Sequence, residues 1–123
     1  MVIHDAFGER REDFMDIIDL KEKENFKAEG RGFANLVNEP YLQVNQVCLE
    51  SGQHVPSHEA NSNVTLKVVY GEGMLTVGNE SINILPGKLF RIPLRSLMSI
   101  RNEFPGRLVF LVFKTPHPDA ING

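Results

Sequence analysis

The sequence predicts an all-β fold, a small jelly-roll barrel, from three observations. From residue 33 onward, short runs of β-branched and aromatic residues recur at intervals of about 8–12 residues. Clusters of Gly, Pro and Asn separate these runs, as expected for turns between strands. No repeat of solenoid length and no linker interrupts the chain, so we expect a single domain over residues 1–123.

The individual strands follow from these runs. The predicted strands are 33–37, 42–49, 64–70, 74–77, 81–85, 89–92, 98–101 and 108–114. The predicted turns are 38–40, 50–52, 71–73, 78–79, 86–87 and 105–106. Seven or eight strands of this length suffice for a small jelly roll, which we assign to residues 33–118.

Residues 1–32 are predicted to be an N-terminal extension or edge segment. Phe14, Ile17 and Ile18 have helical spacing, yet 17–20 could equally form an edge strand, and both alternatives stay open. The mostly charged stretch from residue 20 to 33 contains Arg31 between two glycines, which indicates a loop or a poorly packed hairpin. We expect no chemistry in that stretch.

Composition and charge exclude several classes of function. The 123 residues are 41% hydrophobic and 24% charged, which is ordinary globular usage. The net charge is −3 and the basic residues are scattered, so we expect no nucleic-acid partner. No apolar run is long enough for a signal peptide or a membrane span, and Cys48 has no second cysteine to pair with. These features predict a cytoplasmic protein with no membrane partner.

One stretch of the sequence carries a recognisable spacing. Gly52 is followed after five residues by His58, and Gly71 lies where a closing glycine would belong. This frame resembles the first motif of the cupin superfamily: a glycine, five residues, His-x-His, three or four residues, a glutamate, six residues and a glycine. The second histidine position holds Ala60 and the glutamate position holds Val64. The resemblance therefore implies a double-stranded β-helix whose metal-binding motif is degenerate.

A second stretch, residues 78–102, resembles the second cupin motif. Pro86 stands at its turn and Asn102 four residues after its ligand position, which holds Met98 instead of histidine. The interval from Gly78 to Pro86 is longer than usual. Phrases such as residues 58–64 and 114–118 also resemble a subgroup of small, single-domain prokaryotic cupins of the conserved-barrel type, to which no activity is assigned.

Strand geometry explains why these replacements matter for a metal. Histidines at i and i+2 lie about 6.6 Å apart along a strand, close enough to share one ion. If the strand is regular, His58, Ala60, Ser62, Val64 and Leu66 share one face, which then offers one histidine. His54 lies about 13 Å from His58 in an extended chain. We therefore expect no metal cofactor. A single divalent ion, held by His58 with His54 or His117, is the weaker alternative.

Four residues are the predicted ligand-binding site: His58, Gln43, Asn45 and Met98. Gln43 and Asn45 alternate with Val47 on one strand and share its face, unless the register slips and both amides face solvent. His58 either orients or protonates a ligand, or is a hydrogen-bonded structural histidine. Met98 is interpreted as apolar packing near the ligand, since a thioether suits Cu(I) better than hard cations. Cys48 is expected to be buried and inert.

Three hypotheses for function follow. The first is a cupin-fold module that binds a small organic molecule in a lumen lined by Val64, Leu66, Met98 and Ile100. The second is an enzyme, since the resemblance admits isomerases, decarboxylases and dioxygenases, with His58 as general acid/base. The third is a purely structural or protein-binding domain. Short cupins commonly pair the sheets of two copies, so the resemblance also implies a homodimer.

Overall fold

A computed structural model describes residues 15–122 and the backbone of residues 3–4 and 10–11. The elements of the described residues are β1 (Ile3–His4), β2 (Arg10–Arg11), β3 (Gly32–Glu39), β4 (Leu42–Leu49), β5 (His54–Glu59), β6 (Asn63–Tyr70), β7 (Gly73–Val77), β8 (Glu80–Ile84), β9 (Leu89–Ile92), β10 (Leu97–Arg101), β11 (Leu108–Thr115) and α1 (Pro118–Asn122). The all-β prediction is confirmed. Within the described part of the chain, no helix is long and apolar enough to cross a membrane.

The strands form two main sheets, and a separate pair, β1–β2. One sheet has the order β3–β4–β11–β6–β9 and the other has the order β5–β10–β7–β8, with antiparallel pairing throughout. Alternate side chains of each sheet turn inward and bury a shared apolar core. The core includes Phe110 and Leu66 from the first sheet, and Leu75 and Ile100 from the second.

Each predicted strand coincides with an observed strand to within one or two residues, but β5 was not predicted as a separate strand. The condition for a shared face, one regular strand from His58 to Leu66, is not met. The chain leaves one sheet after Glu59, bends at residues 61–62 and enters the other sheet at Asn63. The amide of Ala60 donates to the Ser96 carbonyl at 2.8 Å, and its carbonyl accepts from the Arg95 amide at 2.7 Å.

Neither alternative for residues 17–20 is observed, because residues 15–19 have no regular structure and a turn follows at 20–23. Phe14 lies outside the described residues. The loop predicted between residues 20 and 33 is confirmed for residues 20–31, which approach β4 and the start of β5. Gln46 Nε2 donates to the Leu20 carbonyl, and Gln53 Nε2 donates to the Lys27 carbonyl, each at 2.9 Å.

Cys48 on β4 is buried, with 1% of its surface exposed. Burial raises the pKa of its thiol, and a backbone hydrogen bond from Asn25 offsets part of that effect. A raised pKa keeps the thiol protonated at neutral pH, so it is a poor nucleophile. The prediction of a buried, unactivated cysteine is confirmed.

Candidate ligand-binding cavity

A cavity of about 90 Å³ lies between the two sheets. Most of its buried lining residues are apolar, and polar and charged side chains are concentrated among the more exposed ones. The lining residues are Arg31, Phe33, Asn45, Val47, Val55, His58, Ala60, Asn61, Val64, Met98, Ile100, Phe110, Val112 and Lys114. Small-molecule sites are usually apolar cavities that contain a few polar groups.

A β-bulge brings His58 to this cavity. Met98 pairs with His58 and Ile100 pairs with Val55, so three steps along β5 oppose two steps along β10. A bulge breaks the strict alternation of faces, and as a result Val55 and His58 both line the cavity although they are three residues apart. His54 lies beyond the bulge, is exposed, and lines a different groove with residues 28–31.

Hydrogen bonding defines the tautomer of neutral His58. Its Nδ1 lies 2.9 Å from the Pro56 carbonyl oxygen, which can only accept a hydrogen bond. Nδ1 therefore carries the proton and donates it, and Nε2 is left with a lone pair. The ring is exposed at the edge of the cavity, so Nε2 is available to accept a hydrogen bond or a proton from a bound molecule.

Asn45 lines the cavity, and Gln43, two residues earlier on β4, is hydrogen-bonded to it. Asn45 is 5% exposed, and its Oδ1 accepts from Asn35 Nδ2 at 2.8 Å. Asn45 Nδ2 donates to Gln43 Oε1 at 3.4 Å. The shared face predicted for this strand is confirmed by Asn45 and Val47, whereas Gln43 is not among the lining residues.

His117 lies away from the cavity and secures the C-terminal segment. Its Nε2 lies 2.7 Å from Asn38 Oδ1 and 3.2 Å from Gln43 Nε2, and its Nδ1 accepts the Asp119 amide hydrogen at 3.0 Å. Its backbone amide donates to the Pro40 carbonyl at 3.2 Å. These contacts tie His117 to the β3–β4 turn, and it is not among the residues that line the cavity with His58.

The residues present do not fit a cupin metal centre. Ala60, Val64 and Met98 all line the cavity, and Met98 is the direct strand partner of His58. A zinc site usually has three protein ligands, and a non-haem iron triad needs two histidines and a carboxylate. Within residues 15–122, no group of three or more His, Cys, Asp or Glu side chains could hold a metal ion.

Two cations in the cavity were missed by the sequence analysis, namely Arg31 and Lys114. Arg31 lies in the stretch from which no chemistry was expected, and its side chain lines the cavity just before the start of β3. Lys114 ends the inward-facing row Leu108, Phe110 and Val112 on β11. Extending the period-2 alternation of that strand by one step would have found Lys114.

The environment of Lys114 is unfavourable for its charge. The residue is half-buried between Gln43 of β4 and Val64 of β6. Burial lowers the pKa of its ammonium group, and the positive charge of Arg31 lowers it further.

Leu66 was expected to line the lumen. It does not line the cavity, since its side chain is fully buried in the core.

Asn102 is a structural residue. It is 1% exposed, and its Nδ2 donates to the carbonyls of Leu49 at 3.1 Å and Gly106 at 2.9 Å. Its Oδ1 accepts from the Phe104 amide at 3.2 Å. The asparagine of the second motif therefore holds the turn between β10 and β11 and does not line the cavity.

Comparison with known proteins supports the interpretation of the fold. The chain is 36% identical over 88 residues to the uncharacterized protein MJ0764 of Methanocaldococcus jannaschii, covering 71% of this chain and 76% of that protein. The crystal structure of MJ0764, described as an RmlC-like cupin family protein with a double-stranded β-helix fold, matches with a TM-score of 0.71 and 33% identity over 80% of this chain and 94% of that chain. No family model matches the chain.

Two more distant structures share the fold. TT1209 from Thermus thermophilus matches with a TM-score of 0.76 and 23% identity, covering 83% of this chain and 98% of that one. A conserved protein with a double-stranded β-helix domain from Klebsiella pneumoniae matches with a TM-score of 0.78 and 17% identity, covering 84% and 91%. The two-sheet architecture and the relationship to MJ0764 show that the chain belongs to the RmlC-like cupin family.

Proposed function

We propose that the chain binds a small organic molecule in its lumen without the metal ion usual for cupins. The cavity between the sheets supports this most, because apolar walls surround a few convergent polar groups. His58 Nε2 and the Asn45 amide are the groups that would orient the molecule. Gln43 would act through Asn45, and Met98 would supply apolar contact.

Native mass spectrometry of tag-free protein from cells tests this proposal. We expect an adduct of small mass that is released on denaturation, and the same molecule should raise the melting temperature of the stripped protein. Substitution of Met98 by Gln, which places an amide against the apolar wall, should weaken that stabilisation. A protein that carries no adduct and is stabilised by no cell extract fraction would contradict the proposal.

A second candidate function is an enzyme that uses His58 as general acid/base, such as a cupin isomerase, decarboxylase or dioxygenase-like protein. The observation in its favour is the hydrogen bond from Nδ1 to the Pro56 carbonyl, which leaves Nε2 of the neutral ring with a lone pair. Turnover of the released molecule, lost in a His58→Gln variant that still binds it, would favour the enzyme. Binding without turnover would favour the module.

We further propose that the protein acts in the cytoplasm and forms a homodimer, with no nucleic-acid or membrane partner. The scattered basic residues and the net charge of −3 support the absence of a nucleic-acid partner.

A further inference from the structure

We propose that the molecule bound in the lumen is a small organic carboxylate, whose charged group is held by Lys114 and Arg31. This inference rests on the proposed function, because it names the chemical class of the ligand for the same cavity. Both cations belong to the cavity wall, and they enter it from different segments, the end of β11 and the residue before β3.

The first support is that these charges lack a counter-ion. Among the described residues, no hydrogen bond or ion pair involves the side chain of Lys114 or of Arg31. None of the residues that line the cavity is acidic, although the sequence has 16 acidic residues against 13 basic ones. The lumen is therefore positive within an acidic protein, which favours an anion as its occupant.

The second support is the energetic cost of placing the two positive charges in one cavity wall. A half-buried ammonium beside a second cation is destabilising unless an anion compensates it, and the lowered pKa of Lys114 reflects that cost. A carboxylate between the two side chains would remove the repulsion and gain charge-assisted hydrogen bonds. Binding of an anion would therefore stabilise the two cations.

The remaining walls favour an organic carboxylate over inorganic phosphate. Val64, Ile100 and Phe110 are buried side chains that line the cavity and would contact a hydrocarbon group. Inorganic phosphate would leave these apolar surfaces without a partner. Asn45 and His58 lie in the same cavity and would accept or donate to a second polar group of the molecule.

Butyrate is a suitable probe, since it joins a carboxylate to a short alkyl chain that matches the small volume of the cavity. Amide chemical shifts of the full chain would be followed during titration with butyrate, with the isosteric neutral butyramide, and with inorganic phosphate. We expect saturable shifts at Asn45, His58 and Val64 with butyrate, and an affinity about tenfold or more above that for butyramide.

Charge-removal variants identify the groups that hold the anion. Lys114→Gln and Arg31→Gln should each lower the butyrate affinity about tenfold, while Lys67→Gln should leave it unchanged. Lys67 is the matched control because it lies on the neighbouring strand β6 with its side chain exposed. Arg31 is also exposed, so its variant tests the inference even if Lys114→Gln folds poorly.

Several results would overturn the inference. Equal affinity for butyrate and butyramide, phosphate binding as tight as butyrate binding, or no effect of either charge-removal variant would each do so. Absence of saturable butyrate binding would do so as well. The proposed function is judged separately, since a neutral adduct in the native mass spectrum would sustain lumen binding while rejecting a carboxylate.

Discussion

The exposed ring of His58 makes one hydrogen bond within the described residues, to the carbonyl of Pro56. We expect His58→Ala to lower ligand affinity and to cost less than about 1 kcal/mol of unfolding free energy, because no buried partner is left unsatisfied. Urea denaturation and titration with the molecule released from native protein measure the two effects. His54→Ala, on the same strand but outside the cavity, is the control.

A structural role for His58 would give a different pattern. The variant would then lose about 1–3 kcal/mol of stability while binding the ligand as before. That outcome would remove His58 from the site and leave Asn45 as its main orienting group.

The purified protein should carry no stoichiometric transition metal. Ala60, Val64 and Met98 occupy the positions at which the cupin motifs supply ligands, and His54 and His117 are directed elsewhere. Plasma emission spectrometry of tag-free protein measures the metal content. About one equivalent of iron, zinc, manganese, nickel or copper per chain, lost in His58→Ala, would contradict this prediction and favour the enzyme.

Lys114 should make stability depend on pH. Its pKa is lower in the folded chain than in the unfolded chain, so the charged ammonium opposes folding below the folded-state pKa. The cost declines as pH rises through that value and is absent above the ordinary lysine pKa of about 10.4. Gln43 and Val64 are its strand partners, and Arg31, His58 and Asn45 line the same cavity.

Lys114→Met should therefore stabilise the ligand-free protein at pH 7, and the gain over wild type should shrink as pH approaches 10. Urea denaturation at a series of pH values measures the difference. Lys67→Met is the control, and little gain is expected from it because its side chain is exposed. If the stabilisation by Lys114→Met increased with pH, the predicted direction of the Lys114 pKa shift would be wrong.

Among the elements, the turn between β6 and β7 depends on glycine for two reasons. Gly71 has φ of 90°, and a Cβ there would overlap the backbone of Arg107 and approach the Cα of Leu108 at 2.9 Å. Gly106 has a similar φ of 92°, but nothing lies within 4 Å of its Cβ position. Alanine substitutions at these two glycines therefore separate the cost of backbone strain from the cost of steric overlap.

Gly106→Ala should cost about 1 kcal/mol through its positive φ alone, whereas Gly71→Ala should cost at least about 2 kcal/mol more because β11 must move. Chemical denaturation of the two variants measures these costs. Equal losses would show that the contact between the turn and β11 relaxes freely.

At the scale of the whole molecule, we expect a homodimer. Among the described strands, β3 and β9 are the outer members of their sheet, and apolar side chains there are exposed, with Phe33 at 45% and Leu89 at 63%. Strand edges and exposed apolar side chains are commonly covered by a second copy. Light scattering at micromolar concentration should give twice the chain mass of 13.9 kDa. A monomeric mass would reject the dimer.

The local part of the fold was predictable from the sequence. Period-2 alternation and turn residues identified most strands, since face alternation and positive-φ turns depend on a few neighbouring residues. The frame of Gly52, His58 and Gly71 identified the family, which MJ0764 confirms.

The tertiary structure decided which side chains meet in the lumen. The bulge in β5 depends on its pairing with β10, so only that pairing shows that Val55 and His58 share the cavity while His54 does not. Arg31 and Lys114 are 83 positions apart in sequence, and only the folded chain shows that both line the same cavity. Strand order arises from contacts between distant residues, which local periodicity does not encode.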